Sequence, residues 1–188
     1  RQLPYGENME CLLDSMFSSF EHIGGVPTET WFDNTKTLVT KMIKGGGREI
    51  TERFRRFAEH YGFKFVFMNS GAGWKKGSVE NKVGYDRRNM LVPIPHFLSL
   101  ADFNQQLLKD CDMDSDREHY VHTHQTISER FEEDQNRLRP LPSISFDTAG
   151  YQTAKTNKWG KFTLNKGLHE YSVSPEYPDA NVRIKLTS

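Results

Sequence analysis

Between Met9 and Met90 the apolar residues switch repeatedly between helical and strand spacing, and this succession restricts the chain to one class of fold. Met9, Leu12, Leu13, Met16, Phe17 and Phe20 recur every three or four positions, which places them on one face of a helix, and Gly24-Gly25 supplies a stop. After Pro27 the run TETWF is short, β-prone and closed by Asp33-Asn34, both turn-forming residues. Ile50, Phe54, Phe57 and Tyr61 return to helical spacing as far as Gly62, and FKFVFM follows with the aromatic and β-branched content of a buried strand. NSGAGWKKG reads as a Gly-rich loop, and a third helix is expected from about Ser78 to Met90, where LVPIP breaks it. Helix, strand, helix, strand, helix is the order of an α/β layer built on a parallel sheet. Two parallel strands cannot cover both of their edges, so further strands are expected upstream of Arg1.

Beyond this block the pattern loosens. Residues 98–111 and the run SERFEEDQNRL are expected to be helices, and Pro140 and Pro142 mark a boundary. From Tyr151 onward, β-prone runs alternate with Gly, Asn and Pro turns, as at the start of a small antiparallel barrel. The expected organisation is therefore a partial α/β core over 1–95, a helical linker over 96–142, and an incomplete small β-barrel over 143–188. The chain begins without Met and ends on NVRIKLTS with no closing turn, so it reads as a fragment.

Charge sharpens the division. The 188 residues hold 25 basic and 25 acidic side chains. Between Lys36 and Arg88, however, 13 Lys or Arg face 5 Asp or Glu, whereas residues 96–137 hold 4 against 10. The first block could face a polyanion and the acidic linker should not, although a basic stretch is more often just a solvated face. No run approaches the ~18 apolar residues of a membrane span, and no signal peptide is evident, which suggests a cytoplasmic protein. Cys11 and Cys111 lie far apart in no C-x-x-C pattern, so neither a disulfide framework nor a zinc ribbon is expected.

Two carboxylates stand out. Asp33 lies where a strand meets a loop, the rim at which parallel sheets display functional groups; the alternative is that Asp33-Asn34 only makes a turn. Glu80 falls with Lys76, Gly84 and Arg87 on one face of the third helix, while Val79, Val83 and Met90 define another; the alternative is a Lys76–Glu80 ion pair of a few tenths of a kcal/mol. An acid at a strand end and an acid on the helix over the same rim, both within the basic half, would suit Mg²⁺ held against a phosphodiester. Trp74, in the basic loop, is a candidate for stacking on nucleic acid, and Trp31 is expected to be buried in its strand. His119, His122 and His124 read as a polar linker rather than a metal site.

FEHIGGVPTETWFDNTKT, FAEHYGFKFVF and GWKKGSVENKVGYDRRN, continued by HFLSLADFNQQLLKDCD, ERFEEDQNRLRPLP and KWGKFTLNKGLHEYSVSP, resemble the DDE transposases with a retroviral-integrase-type core, and more narrowly the IstA-like insertion-sequence transposases. The resemblance covers nearly the whole chain. It implies a partial RNase H-like fold in which three acids hold two Mg²⁺ or Mn²⁺ ions. Asp33 matches the second acid and Glu80 the third, with 46 residues between them; the first, carried by an earlier strand, has no counterpart here, so the chain alone is expected to be inactive. Under this resemblance Trp74, Lys75, Lys76, Lys82, Arg87 and Arg88 face DNA, with salt-sensitive, sequence-independent binding. The implied activity is DNA strand cleavage and strand transfer in the bacterial nucleoid, with a helper ATPase and a homo-multimer across two transposon ends. The rivals are an RNase H-like nuclease without strand transfer and an inactive DNA-binding remnant.

Overall fold

In the computed structural model, residues 6–32, 38–42, 48–67, 73–164 and 167–188 are described, with side chains outside 39–48 and 73–80. The chain divides into two compact units, 1–146 and 147–188. Among the described residues, no helix is long and apolar enough to cross a membrane.

The first unit is organised by its aromatic residues. Helix α1 spans Met9–Ile23; Asn8 caps it by accepting the Cys11 N–H at 2.8 Å, and Gly24 ends it at φ +77°. Its apolar face behaves as its spacing predicts: Leu13 and Phe20 are buried, and Met9, Leu12, Met16 and Phe17 pack around them. Strand β1 (Glu29–Phe32) is followed by an antiparallel pair, β2 (Val39–Met42) and β3 (Arg48–Ile50). Helix α2 then runs over Glu52–Tyr61, and Gly62, at φ +72°, stops it. Strand β4 (Lys64–Phe67) returns beside β1.

Period-2 alternation sends Phe65 and Phe67 of β4 to the face where Phe63, just before the strand, is buried; α1 and α2 cover that face. Phe54 meets Phe32 at 5.1 Å and Phe65 at 5.5 Å, and Phe20 meets Tyr61 at 5.5 Å and Phe63 at 5.7 Å, in edge-on or tilted geometries. Ile50 belongs to β3 rather than to the second helix, as its spacing had implied. It sits four positions before Phe54 and so mimics a helical turn, but Thr51, with ψ 133°, begins a new element after it. The sequence KGGG at 44–47, read as a flexible loop between the first strand and the second helix, lies outside the described residues.

The remaining helices of this unit are α3 (Gly73–Met90), α4 (Leu100–Asp114) and α5 (Ile127–Gln135). After α5, Arg139 exchanges two backbone hydrogen bonds with Val26, at 2.9 and 2.8 Å, and its guanidinium reaches the Gly62 carbonyl. The acidic segment is thereby tied to both helix stops of the core. Thr126 and Glu129 form a reciprocal capping box on α5: the Glu129 N–H donates to Thr126 Oγ1 at 3.1 Å, and the Thr126 N–H donates to Glu129 Oε2 at 2.7 Å. Thr126→Ala should lower stability by about 1 kcal/mol in urea denaturation, with Thr126→Ser close to the parent.

In the second unit β5 (Gly150–Lys155) pairs antiparallel with β8 (Asn181–Leu186), and β6 (Lys161–Leu164) with β7 (His169–Ser172). The expected incomplete barrel is realised as these two antiparallel pairs, with no closed barrel among the described residues. Overall the chain is a mixed α/β protein with a two-stranded parallel sheet.

Candidate active site

The parallel pair defines a rim. Glu29 is opposite Lys64 and Phe32 opposite Phe67, so the two strands end level. Asp33 directly follows Phe32 in the sequence and lies outside the described residues. Glu80 lies within α3, and its side chain too is outside the described set. Neither distance nor ligand geometry between them is therefore at issue; what the structure describes is the frame that carries each.

Helix α3 begins at Gly73, five residues before the expected start at Ser78. Trp74, Lys75 and Lys76 accordingly belong to helix backbone and not to a loop, their side chains lying outside the described residues. Single glycines weakened the expectation of helix here, but each costs only about 1 kcal/mol relative to alanine, too little to stop a helix whose neighbouring residues favour it.

The helix is seated by polar groups. The Tyr85 hydroxyl donates to Asp114 Oδ1 on α4 at 2.6 Å. Lys82 Nζ and the Arg117 guanidinium each lie 4.8 Å from the Tyr85 ring centre. Lys82 also reaches Asp86 at 3.5 Å and Asp114 at 3.8 Å, and Arg117 Nε lies 3.3 Å from Asp114. Burial alone would raise the Asp114 carboxyl, but the Tyr85 hydroxyl, Arg117 and Lys82 together hold it below the usual carboxylate range. The same hydrogen bond, with burial, pushes the Tyr85 hydroxyl up. Of the expected apolar face, Val83 is 44% exposed, while Met90 meets Cys111 of α4 at 3.4 Å.

At 100° per residue, position 80 is about 120–160° around the helix from each of Lys82, Tyr85 and Asp86. The stripe of positions 76, 80, 84 and 87 thus falls on the side of α3 turned from α4. Arg87 and Arg88 are exposed, and the Arg88 guanidinium lies over Gly84, where an added Cβ would come within 3.2 Å of Nη1. Lys82 is separated from this group and engaged with Asp86 of its own helix and Asp114 of α4.

Trp31 corrects an expectation. It is 43% exposed on the face of β1 away from α1 and α2, its indole N–H donating to Glu29 Oε1 at 2.6 Å. Strand residues alternate faces, and the neighbours Thr30 and Phe32 take the inner one. His119 Nδ1 accepts the backbone N–H groups of Val121 and His122, each at 3.1 Å. Among the described residues, no group of three or more His, Cys, Asp or Glu is arranged to hold a metal ion.

One basic surface went unnoticed in the sequence. Tyr151, Thr153 and Lys155 on β5 lie opposite Lys185, Arg183 and Asn181 on β8, all exposed on one face. Arg183 lies 4.5 Å and Lys185 5.7 Å from the Tyr151 ring centre. The Tyr151 hydroxyl donates to Asp147 Oδ2 at 2.5 Å; this bond, with the Ala149 N–H and Lys185, holds the Asp147 carboxyl below its ordinary range. Two-residue alternation of Lys and Arg in VRIKL was the available signal.

Comparison with known proteins places these features in context. The chain is 30% identical over 182 residues to a transposase for insertion sequences IS1326/IS1353 from Pseudomonas aeruginosa, a match covering 97% of this chain and 35% of that protein. It is 30% identical over 179 residues to a putative transposase for insertion sequence element IS5376 from Geobacillus stearothermophilus, covering 95% and 43%. A transposase for insertion sequence element IS21, also from Pseudomonas aeruginosa, is 28% identical over 181 residues, covering 96% and 46%. The chain thus spans less than half the length of each of these curated relatives. No protein-family model matches it.

Proposed function

Because the chain belongs to the IstA-like insertion-sequence transposases, we propose that it is part of the catalytic region of a DDE-type enzyme that cuts and joins DNA. In this reading 1–95 contribute to an RNase H-like core, 96–142 are a linker and 143–188 a small β domain. The observation that carries it is the level ending of β1 and β4 immediately before Asp33, combined with a following helix whose Glu80 stripe lies opposite its contact with α4.

Asp33 and Glu80 are the proposed ligands, completed by an acid from an upstream strand of the whole protein. Carboxylates form a hard oxygen donor set suited to Mg²⁺ or Mn²⁺. A bound pair of such ions would supply activation of the attacking oxygen and stabilisation of the leaving one. The acids need then act only as ligands, and no covalent enzyme intermediate is required. Water attacks first and frees a 3′-OH; that hydroxyl next attacks a phosphodiester of target DNA. Arg87, Arg88, Lys75 and Lys76 are proposed to hold phosphates, with Trp74 beside them. The exposed Lys155–Arg183–Lys185 face offers a further place for the DNA backbone. Lys82 has a divided role, since Asp86 and Asp114 compete with phosphate for it. The whole enzyme is proposed to act as a homo-multimer with a helper ATPase, in the bacterial cytoplasm.

The test is strand joining by a complete transposase carrying this segment, with Mg²⁺. Asp33→Asn and Glu80→Gln should each reduce joining to background; near-parental joining by either removes that residue from the site. Nicks without joined products would favour a nuclease, and DNA binding without either product a remnant.

A further inference from the structure

We propose that Tyr85 and Asp114 are positioning residues that fix the rotation of α3 about its own axis and thereby hold position 80 on the side away from α4. The proposal rests on the assignment of Glu80 to the active site. A helix with a continuous apolar stripe is oriented by burial of that stripe. Among the described side chains of α3, Val83 is substantially exposed, so such a stripe is not continuous there. Directional contacts can supply the rotation instead: Tyr85 and Lys82 both reach one carboxylate of α4, Asp114, and Lys82 is shared with Asp86 of α3 itself.

The acceptor is itself well fixed. Asp114 closes α4, and the turn behind it is pinned by backbone bonds from Ser115 to Asp112 at 3.0 Å and from Arg117 to Asp114 at 3.4 Å. Two further bonds, Ile127 N–H to Arg117 O at 3.1 Å and Ser128 N–H to Ser115 O at 2.9 Å, join that turn to the start of α5. A second point of attachment lies near the end of α3, where Cys111 Sγ meets Met90 Sδ at 3.4 Å. Two contacts on one helix, at positions 85 and 90, resist both rolling and sliding. A hydroxyl donating to a carboxylate is short and directional, and the cations over the Tyr85 ring keep Asp114 ionised to accept it.

The experiment compares Tyr85→Phe, Asp114→Asn, their combination, Glu80→Gln and the exposed-site control Lys109→Ala. Amide hydrogen exchange is followed in the present chain. DNA affinity and single-turnover cleavage at saturating DNA are followed in a complete transposase carrying this segment. In Tyr85→Phe and Asp114→Asn, amides of α3 should exchange about tenfold faster or more, while those of α1 and α2 keep their rates. Cleavage should slow about tenfold with DNA affinity within about twofold of the parent, as expected when a reacting group is misplaced. The combined variant should be no slower than the worse single one, because both substitutions act on the same Tyr85–Asp114 contact. Parental cleavage in Tyr85→Phe, a rate loss that tracks DNA affinity, or faster exchange throughout α1 and α2 would each overturn the proposal. Cleavage by Glu80→Gln would overturn the active-site assignment, whereas an inactive Glu80→Gln beside a fully active Tyr85→Phe would overturn the positioning role alone.

Discussion

Gly160→Ala should unfold the strand pairs of the second unit, at a cost of roughly 3–5 kcal/mol. Gly160 has φ +67°, a left-handed conformation that costs a residue with a Cβ about 1–2 kcal/mol by itself. Sterics add the larger part: a Cβ built at this position would lie 2.0 Å from the Ser174 carbonyl oxygen and 2.6 Å from its carbon. Both are backbone atoms, so no rotamer change can relieve the contact. Local bonds oppose a backbone shift, since Gly160 N–H donates to Asn157 O at 3.0 Å and Gly160 O accepts from Val173 N–H at 2.9 Å. Asn157 Oδ1 further holds the Trp159 and Lys161 N–H groups, at 2.9 and 3.1 Å. Loss of dispersed strand resonances from β5–β8 in heteronuclear NMR is the measurement. Gly167→Ala is the control: its φ is +92° but, chain neighbours aside, no atom of the described residues lies within 4 Å of the added Cβ, so only the conformational cost of about 1–2 kcal/mol should appear. Equal effects at the two positions would mean that the contact with Ser174 is not a determinant.

Phe54→Ala should cost the first unit about 3–5 kcal/mol, a large part of the ~5–15 kcal/mol that usually stabilises a domain. Its side chain is fully buried at the centre of the aromatic group, with Phe32, Phe63 and Phe65 around it. The surrounding rings are held by β1, β4 and α2, which cannot all close on the space left. Urea denaturation monitored by helical circular dichroism should show the lower midpoint. Leu98→Ala, at a fully exposed position, should change stability by less than about 0.5 kcal/mol. A small effect at Phe54 would mean that the core can repack around a large void.

Much of the framework was legible because it depends on period and punctuation. The apolar face of α1, the Gly24 and Gly62 stops and the parallel β1–β4 pair all follow from residue spacing and chain order. The β2–β3 pair was not foreseen. Ile50 fitted a helical repeat as well as a strand, and its choice depended on Leu38, whose carbonyl accepts the Thr51 N–H at 3.0 Å. Trp31 was expected inside because tryptophan is a good strand residue, but strand propensity does not say which face is covered. Of the candidate site, the sequence supplied Asp33 and Glu80 as positions along the chain.

The sequence alone determined that α1 and α2 would bury one face against a strand pair, because hydrophobic periodicity is a local property read from one segment at a time. It determined also that an acid would follow β1 and another would lie within the third helix. Tertiary structure alone decided how α3 is rotated and that Lys82 is drawn to Asp114 while Arg87 and Arg88 stay exposed. The physical reason is that α3 is seated by a hydroxyl–carboxylate bond between residues 29 positions apart, and no local pattern encodes a partner so distant.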